Sequence, residues 1–387
     1  MKWITFTSFY LLIFAYAKAQ DKSNSRTDNR LKTAIDSTVQ RAASHFMISG
    51  PRVGLSIGIV TGDKHFFYNY GTTTKEKDRL PDENTVYEIG SVSKTFTGYL
   101  LAKAITDRKL QLDDDVRRYL PGNYPHLEYM GKPIKIIHLA NHTSGLPPFL
   151  PEKPEIFKQS VESIPFLLDT LYHNYSKEKF LADLQKVKID TLPGYNYRYS
   201  NTAAQLLGFI LENVYMQSYD RLLRRYLLNP LSMSQTKTSA KALTGELAKG
   251  YDAKGTPMPR IPAIMKASGG LYSSTADMTR YISFQLKEAD ISVKLSHTFT
   301  QQYTDSTGIG IFWRINTDSG GVKKIWHTGG TFGFSSYCVI FPEKKIGFVL
   351  LSNEFDMTSQ GALIEAAETL FREIVSLKDS VLGSNIR

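Results

Sequence analysis

Apolar and polar positions follow two rhythms along this chain. Leu31 to Met47 carries its apolar residues at helical spacing. "VGLSIGIV" (53–60) and "KHFFYNYG" (64–71) are β-rich runs on either side of Thr61-Gly62-Asp63, which signals a hairpin. Helical spacing returns at Phe96, Tyr99, Leu100 and Ala104. From about residue 122 to 260 the pattern is loop-rich and helix-rich, interrupted by "HTSGLPP" and "LPGYNYRYSN". Glu155 to Tyr172 reads as a helix that Pro165 should kink or split, and Ala203 to Leu228 as a longer one. Thr275 to Lys287 is helical again. Four strand-like runs follow, at 308–315, 323–328, 335–342 and 346–353, and a last helix spans about Ser359 to Leu377. There is no internal repeat or low-complexity tract.

Strands at both ends with helices between them predict one sheet assembled from both termini, with a mainly helical part inserted at about 122–260. Chemistry is then expected in the cleft between the two parts.

The first residues follow a different logic. Met1-Lys2-Trp3 is a short basic start, and Ile4 to Ala17 is mostly apolar without a charge. Ala17-Lys18-Ala19 then supplies a small-x-small cleavage pattern, so residues 1–19 read as an export signal cut after Ala19. That apolar run is too short to span a bilayer, and no later stretch approaches the length of a span. Gln20 to Arg30 reads as a flexible polar leader, followed by a single domain at 31–380 in the periplasm or outside the cell. Cys338 is the only cysteine, which excludes an internal disulfide framework; its setting, "SSYCVIF", is that of a small core residue. The formal charge of +10 falls to +8 without Lys2 and Lys18, and its Lys and Arg residues are scattered. It reads as a solvated surface suited to anionic substrates or the cell envelope, with no nucleic-acid partner.

"EIGSVSKTFT" (88–97) raises the chemical question. Ser91 and Lys94, at i and i+3, would share one face of a helix start, where free N–H groups favour developing negative charge. Ser91 could there be a nucleophile, and its own N–H an oxyanion donor. Taken alone, the pair also fits a helix cap followed by a surface lysine. Two further stretches change the weighting. "YRYSNTAA" places Tyr199, Ser200 and Asn201 at a turn into an apolar helix, and "WHTGGTFGF" ends a β-rich run on His327-Thr328-Gly329. Singly, Tyr199 could be core, Asn201 a cap and His327 a structural histidine.

In this order, Ser91-Val92-Ser93-Lys94, Tyr199-Ser200-Asn201 and His327-Thr328-Gly329 resemble the three motifs of penicillin-recognising serine enzymes. Within these the chain resembles the class C β-lactamase group, which also holds DD-carboxypeptidases, D-aminopeptidases and carboxylesterases. "IGSVSKTFTGYLLA", "LANHTSGLP", "ASGGLYSSTADMTRY" and "GFVLLSN" carry the likeness from about residue 30 to 375. The resemblance implies an α+β, β-lactamase/transpeptidase-like fold: an antiparallel sheet from both chain ends, flanked by helices. It implies that Ser91 forms an acyl-enzyme and that Lys94 and Tyr199 move the proton, with either as the base. Asn201 would hold the lysine and the substrate amide. His327, Thr328 and Gly329 would line the substrate, and the N–H groups of Ser91 and Gly330 would form the oxyanion hole.

His327 stands where β-lactamases of the group usually carry lysine, which resembles the DD-carboxypeptidase branch and some esterases. An unperturbed histidine is mostly neutral at pH 7. Arg314, in the preceding strand, could supply the missing charge for a substrate carboxylate, or could be an ordinary strand residue. No class A type glutamate motif for deacylation is present. Nor is there a G-x-S-x-G elbow or an H-E-x-x-H motif, and the eight histidines are dispersed. The expectation is a metal-free, cofactor-free serine hydrolase acting on a small-molecule or peptide substrate. A D-amino-acid peptidase is favoured, with a β-lactamase or carboxylesterase as alternatives and a non-catalytic binding protein as a further class.

Overall fold

The computed structural model describes residues 25–384. The expected export signal lies outside them. Helix α1 (Ala34–Ile48) opens on a capping box in which Thr33 and Asp36 each satisfy the other's backbone N–H. Strands β1 (Gly54–Thr61) and β2 (Lys64–Gly71) form the expected hairpin, with Gly62 at φ +60°. Next come the short β3 (Tyr87–Glu88), a single 3₁₀ turn at Gly90–Val92 and α2 (Ser93–Thr106). The middle of the chain carries short helices and α3 (Asn201–Tyr215). Strand β4 (Tyr272–Ser273) pairs with β3, and α4 (Thr275–Lys287) follows. Then come β5 (Gln301–Thr304), β6 (Thr307–Ile309), β7 (Arg314–Thr317), β8 (Lys323–Gly330), β9 (Ser335–Phe341), β10 (Ile346–Ser352) and α5 (Ser359–Ser384).

The main sheet has eight strands in the order β2-β1-β10-β9-β8-β7-β6-β5, every neighbouring pair antiparallel. The first hairpin therefore lies against the last strand, and the α+β expectation of a sheet built from both chain ends holds. Side-chain alternation gives the sheet two apolar faces. On one, Leu55, Ile57, Phe348 and Leu350 pack with Val39 and Phe46 of α1 and Leu363 and Leu370 of α5. On the other, Val60, Cys338, Ile340, Val349 and Leu351 meet α2 and α4. Cys338 is fully buried there, and burial pushes its thiol up to about 12. Helix α4 lies so close to β1 that a β-carbon on Gly58 would come within 2.6 Å of Thr279 Cγ2. Among the described residues no helix is long and apolar enough to cross a membrane.

Four expectations need correction. Of the polar leader, residues 25–30 are pinned rather than free. Asp28 accepts from the Asn69 backbone and side chain at 2.8 and 2.6 Å, and Asn29 Nδ2 donates to Tyr70 Oη at 2.9 Å, covering the open edge of β2. The apolar run 308–315 is not one strand: it breaks at Gly310–Trp313, where Gly310 N–H returns to Trp313 O at 2.8 Å. That turn buries Ile311, Phe312 and Trp313 completely. The helix expected over 203–228 stops at Met216, which is left-handed at φ +52°, and restarts as Tyr219–Leu223 behind a Ser218 cap. Over 155–172 only a short turn and Ile164–Tyr172 are helical. Pro165 lies in the first turn, where its missing N–H costs nothing.

Two buried ionisable side chains lie within these layers. The guanidinium of Arg52, its side chain 0 % exposed, binds Glu354 at 2.7 Å, Asp356 at 3.1 Å and Ser359 Oγ at 3.1 Å, tying the start of β1 to α5. Arg52→Ala would strand the Glu354 carboxylate and should lower stability by about 3–5 kcal/mol, read from the denaturant midpoint; a loss under ~1 kcal/mol would contradict this role. Glu88 on β3 is also buried, its Oε1 accepting from Ile261 N–H at 2.9 Å. Burial pushes its carboxyl up to about 7, outweighing the Ile261 amide and the charge of Arg260. The folded state therefore prefers the protonated acid, so this contribution is complete below the unfolded pKa near 4.5 and is lost as pH rises through 7. Glu88→Gln should remove that decline, leaving the variant more stable than the parent at pH 8 by on the order of 3 kcal/mol. Equal pH slopes in the two proteins would refute it.

Candidate active site

The turn that presents Ser91 exists because Gly90 is left-handed, at φ +50°. Ser91 sits in the 3₁₀ turn, and α2 begins two residues later, at Ser93. Val92 is the N-cap, with no side-chain cap bond. Ser91 is thus not a helix cap, and its hydroxyl is spent elsewhere. The turn is fixed from two sides: Ser336 Oγ donates to Ile89 O at 2.8 Å, and Ser93 Oγ accepts from Leu271 N–H at 3.1 Å.

Lys94 is the second residue of α2, in its first turn, and is 0 % exposed. Its Nζ is 3.1 Å from Ser91 Oγ and 2.7 Å from Asn201 Oδ1, and it also donates to the backbone oxygen of Ser268. Tyr199 Oη donates to Ser91 Oγ at 2.6 Å, and Lys94 Nζ stands 4.7 Å from the Tyr199 ring centroid. The start of α3 explains why Asn201 is free to reach inward. Ser200 supplies the cap, its Oγ accepting from Ala203 N–H at 2.9 Å and donating to Pro147 O at 2.7 Å. Four of the residues expected from sequence thus meet within hydrogen-bonding reach.

The end of β8 closes the other side. A β-carbon on Gly329 would come within 2.2 Å of both Ile89 O and Ser336 Oγ, and one on Gly90 within 2.6 Å of Gly330 N. Glycine is what lets this strand lie against the Ser91 turn. His327 is buried, and its Nδ1 lies 2.6 Å from Thr328 O. No hydrogen bond among the described residues joins the Thr328 side chain to the Ser91 group; it is placed on the strand without a direct link.

Electrostatics follow from burial. Desolvation holds the Lys94 amine well below its usual range. Burial, then the charges of Lys94 and Arg314, drives His327 down to about 3, so it is neutral at pH 7. Burial raises the Tyr199 phenol, outweighing its bond to Ser91 and the charge of Arg314, so it remains protonated. Arg314 is half-buried at the sheet end, where Nη2 donates to Tyr197 Oη at 3.2 Å and the guanidinium lies 5.3 Å from the Trp326 ring centroid. Sequence reasoning assigned no part to Ser268 or His142, although "ASGGLY" and "ANHTSG" contain them. Ser268 acts through its carbonyl oxygen, which no residue type reveals.

Residues 39–370 match the family model described as β-lactamase. A β-lactamase of Pseudomonas fluorescens is 27% identical over 366 residues, covering 84% of this chain and 94% of that protein. The D-alanyl-D-alanine-carboxypeptidase/endopeptidase AmpH of Escherichia coli strain K12 is 25% identical over 364 residues, covering 90% and 91%. The fold is also that of a β-lactamase/D-alanine carboxypeptidase from Yersinia pestis in complex with citrate, at a TM-score of 0.73 and 24% identity, covering 88% of this chain and 98% of that one.

Proposed function

The chain belongs to the β-lactamase family, and from that premise we propose that it is an exported peptidase that forms an acyl-enzyme on Ser91 and cleaves D-amino-acid peptides of cell-wall type. It is a serine hydrolase of this family. The observation that carries the reading is the set of acceptors around Lys94. The Asn201 amide oxygen and the Ser268 carbonyl each take one N–H, and the third direction of Nζ faces Ser91 Oγ. Burial favours the neutral amine, whose lone pair then accepts the Ser91 proton. Tyr199, a phenol rather than a phenolate, is a donor. Lys94 is accordingly the base, and Tyr199 passes a proton toward the leaving group.

Ser91 Oγ attacks the substrate carbonyl carbon as its proton moves to Lys94 Nζ. The oxyanion is held by the N–H groups of Ser91 and Gly330. When the C–N bond breaks, the leaving amine takes a proton through Tyr199. Water then attacks the ester, loses its proton by the same route, and frees the acid and Ser91. His327 is neutral, so a substrate carboxylate finds its cation at Arg314 instead. The preference for a D-amino-acid peptide rests on that pairing, on the His-Thr-Gly strand and on the carboxypeptidase relative. The export proposal rests on residues 1–19 of the sequence. A β-lactamase is the second reading: the first half-reaction is the same, and the 27% identical relative carries that activity in its name.

Intact-protein mass spectrometry of the chain without residues 1–19, mixed with benzylpenicillin, separates these readings. The peptidase reading expects a persistent adduct on Ser91, absent in Ser91→Ala, whose melting temperature should be unchanged. A transient adduct with released penicilloate would identify a β-lactamase. No adduct beside rapid cleavage of p-nitrophenyl acetate would identify an esterase, and undiminished turnover by Ser91→Ala would end the mechanism. For Arg314→Gln, the KM of a D-alanyl-D-alanine peptide should rise by about ten- to a hundred-fold, the value of a charge-assisted contact. Hydrolysis of the uncharged ester should stay within about two-fold of the parent, a surface-like change. Parallel losses on both substrates would remove Arg314 from carboxylate recognition.

A further inference from the structure

His142 follows the short helix Ile136–Ala140 and is 1% exposed, with its backbone left-handed at φ +57°. A β-carbon in that region is strained, and Gly or Asn are its ordinary occupants. The imidazole is therefore held by what surrounds it. Arg198 N–H donates to His142 O at 2.7 Å, and Ser200 N–H donates to His142 Nδ1 at 3.2 Å. These are the amides before and after Tyr199, so one residue grips the chain on both sides of it. The ring also lies against the Tyr199 ring, with centroids 4.4 Å apart. Because Nδ1 accepts an N–H, it carries no proton, which leaves the proton on Nε2. That nitrogen is buried without a hydrogen-bond partner among the described residues. Burial, and then the charge of Lys94, hold the imidazole well below its usual pKa, which agrees with the tautomer.

We propose that His142 is the positioning residue for Tyr199, its Nδ1 acceptor and its carbonyl fixing the loop segment 198–200 that aims the phenol at Ser91 Oγ. This rests on the acyl-enzyme reading above, in which Tyr199 acts as the proton donor. His142 acts through Tyr199 and does not touch the reacting atoms. A merely structural histidine would be felt in stability, whereas a positioning residue is felt in the acylation step.

Two substitutions suit the left-handed backbone and separate these roles. His142→Gly removes the ring and the acceptor without straining φ. It should slow acylation by p-nitrophenyl acetate by about thirty-fold or more, as expected when a buried N–H loses its acceptor, with KM little changed. In His142→Asn, Oδ1 can take the Ser200 N–H while only the ring contact is lost, so acylation should stay within about ten-fold of the parent. Acylation by His142→Gly at the parental rate would overturn the proposal, as would His142→Asn being no faster than His142→Gly. The unmodified protein gives a test that needs no variant to fold. Nitrogen-15 spectra of histidine-labelled protein at pH 7 should show the His142 Nδ1 unprotonated and Nε2 protonated; a protonated Nδ1 would overturn the assignment. Failure of the parent protein to be acylated by either penicillin or ester would instead refute the functional reading, and the tautomer would still be read from the spectra.

Discussion

The amine of Lys94 is the constraint around which the rest of the molecule is arranged. A lysine with no exposed surface is costly unless its hydrogens find acceptors or it gives up its charge. Here both occur. The acceptors come from residues 201 and 268, with Ser91 Oγ in the third direction, so α2, α3 and the loop ahead of β4 must dock before the amine is satisfied. Docking also dries the site, which lowers the amine's proton affinity. The packing that makes the lysine tolerable is the packing that makes it basic toward a neighbouring hydroxyl rather than permanently cationic.

A second constraint runs between the two ends of the chain. The oxyanion donors proposed at Ser91 and Gly330 stand far apart in sequence, and β8 can pass close to the Ser91 turn only because it carries glycines there. With a β-carbon 2.2 Å from Ile89 O, the strand would have to move away at position 329. The β8–β9 register, which pairs Gly329 with Ser336, sets Ser336 Oγ on Ile89 O and so settles where β8 lies relative to that turn. Sheet register and site geometry are therefore one problem, and neither half of the chain contains the site.

Much of this was legible in the sequence, and the exceptions have physical causes. The β1–β2 hairpin and α4 could be read because local signals coincide with tertiary ones. Gly62 permits the turn, and α4 runs between the Ser274 cap and a left-handed Glu288. The run 308–315 misled because a buried turn and a buried strand have the same composition. The break at Met216 was hidden because a left-handed methionine carries no glycine to announce it. Ser91 and Lys94 lie within reach of each other, as their spacing suggested, but the helix begins after Ser91, so the hydroxyl projects from a tighter turn than i and i+3 on an α-helix would give. His142 and Ser268 could not be assigned parts from spacing alone. The first contributes two backbone-directed contacts, and the second contributes only a carbonyl.

The charges in the site are few, and their separation has a chemical consequence. A lysine at 327 would place a second amine in a buried position beside Lys94, and each cation would lower the other's pKa or force water into the cleft. With histidine there, held neutral by burial, Lys94 is, among the described residues, the one amine bonded to Ser91, and in the proposed mechanism it alone changes its protonation. The remaining cation, Arg314, is half-buried at the sheet end and anchored on Tyr197, away from the amine's acceptors. A permanent guanidinium can bind an anion without taking part in proton transfer. In the proposed reading, carboxylate recognition and proton movement thus fall to different residues. In the proposed mechanism this lets the site attract an anionic peptide end without supplying the protons that would silence its base.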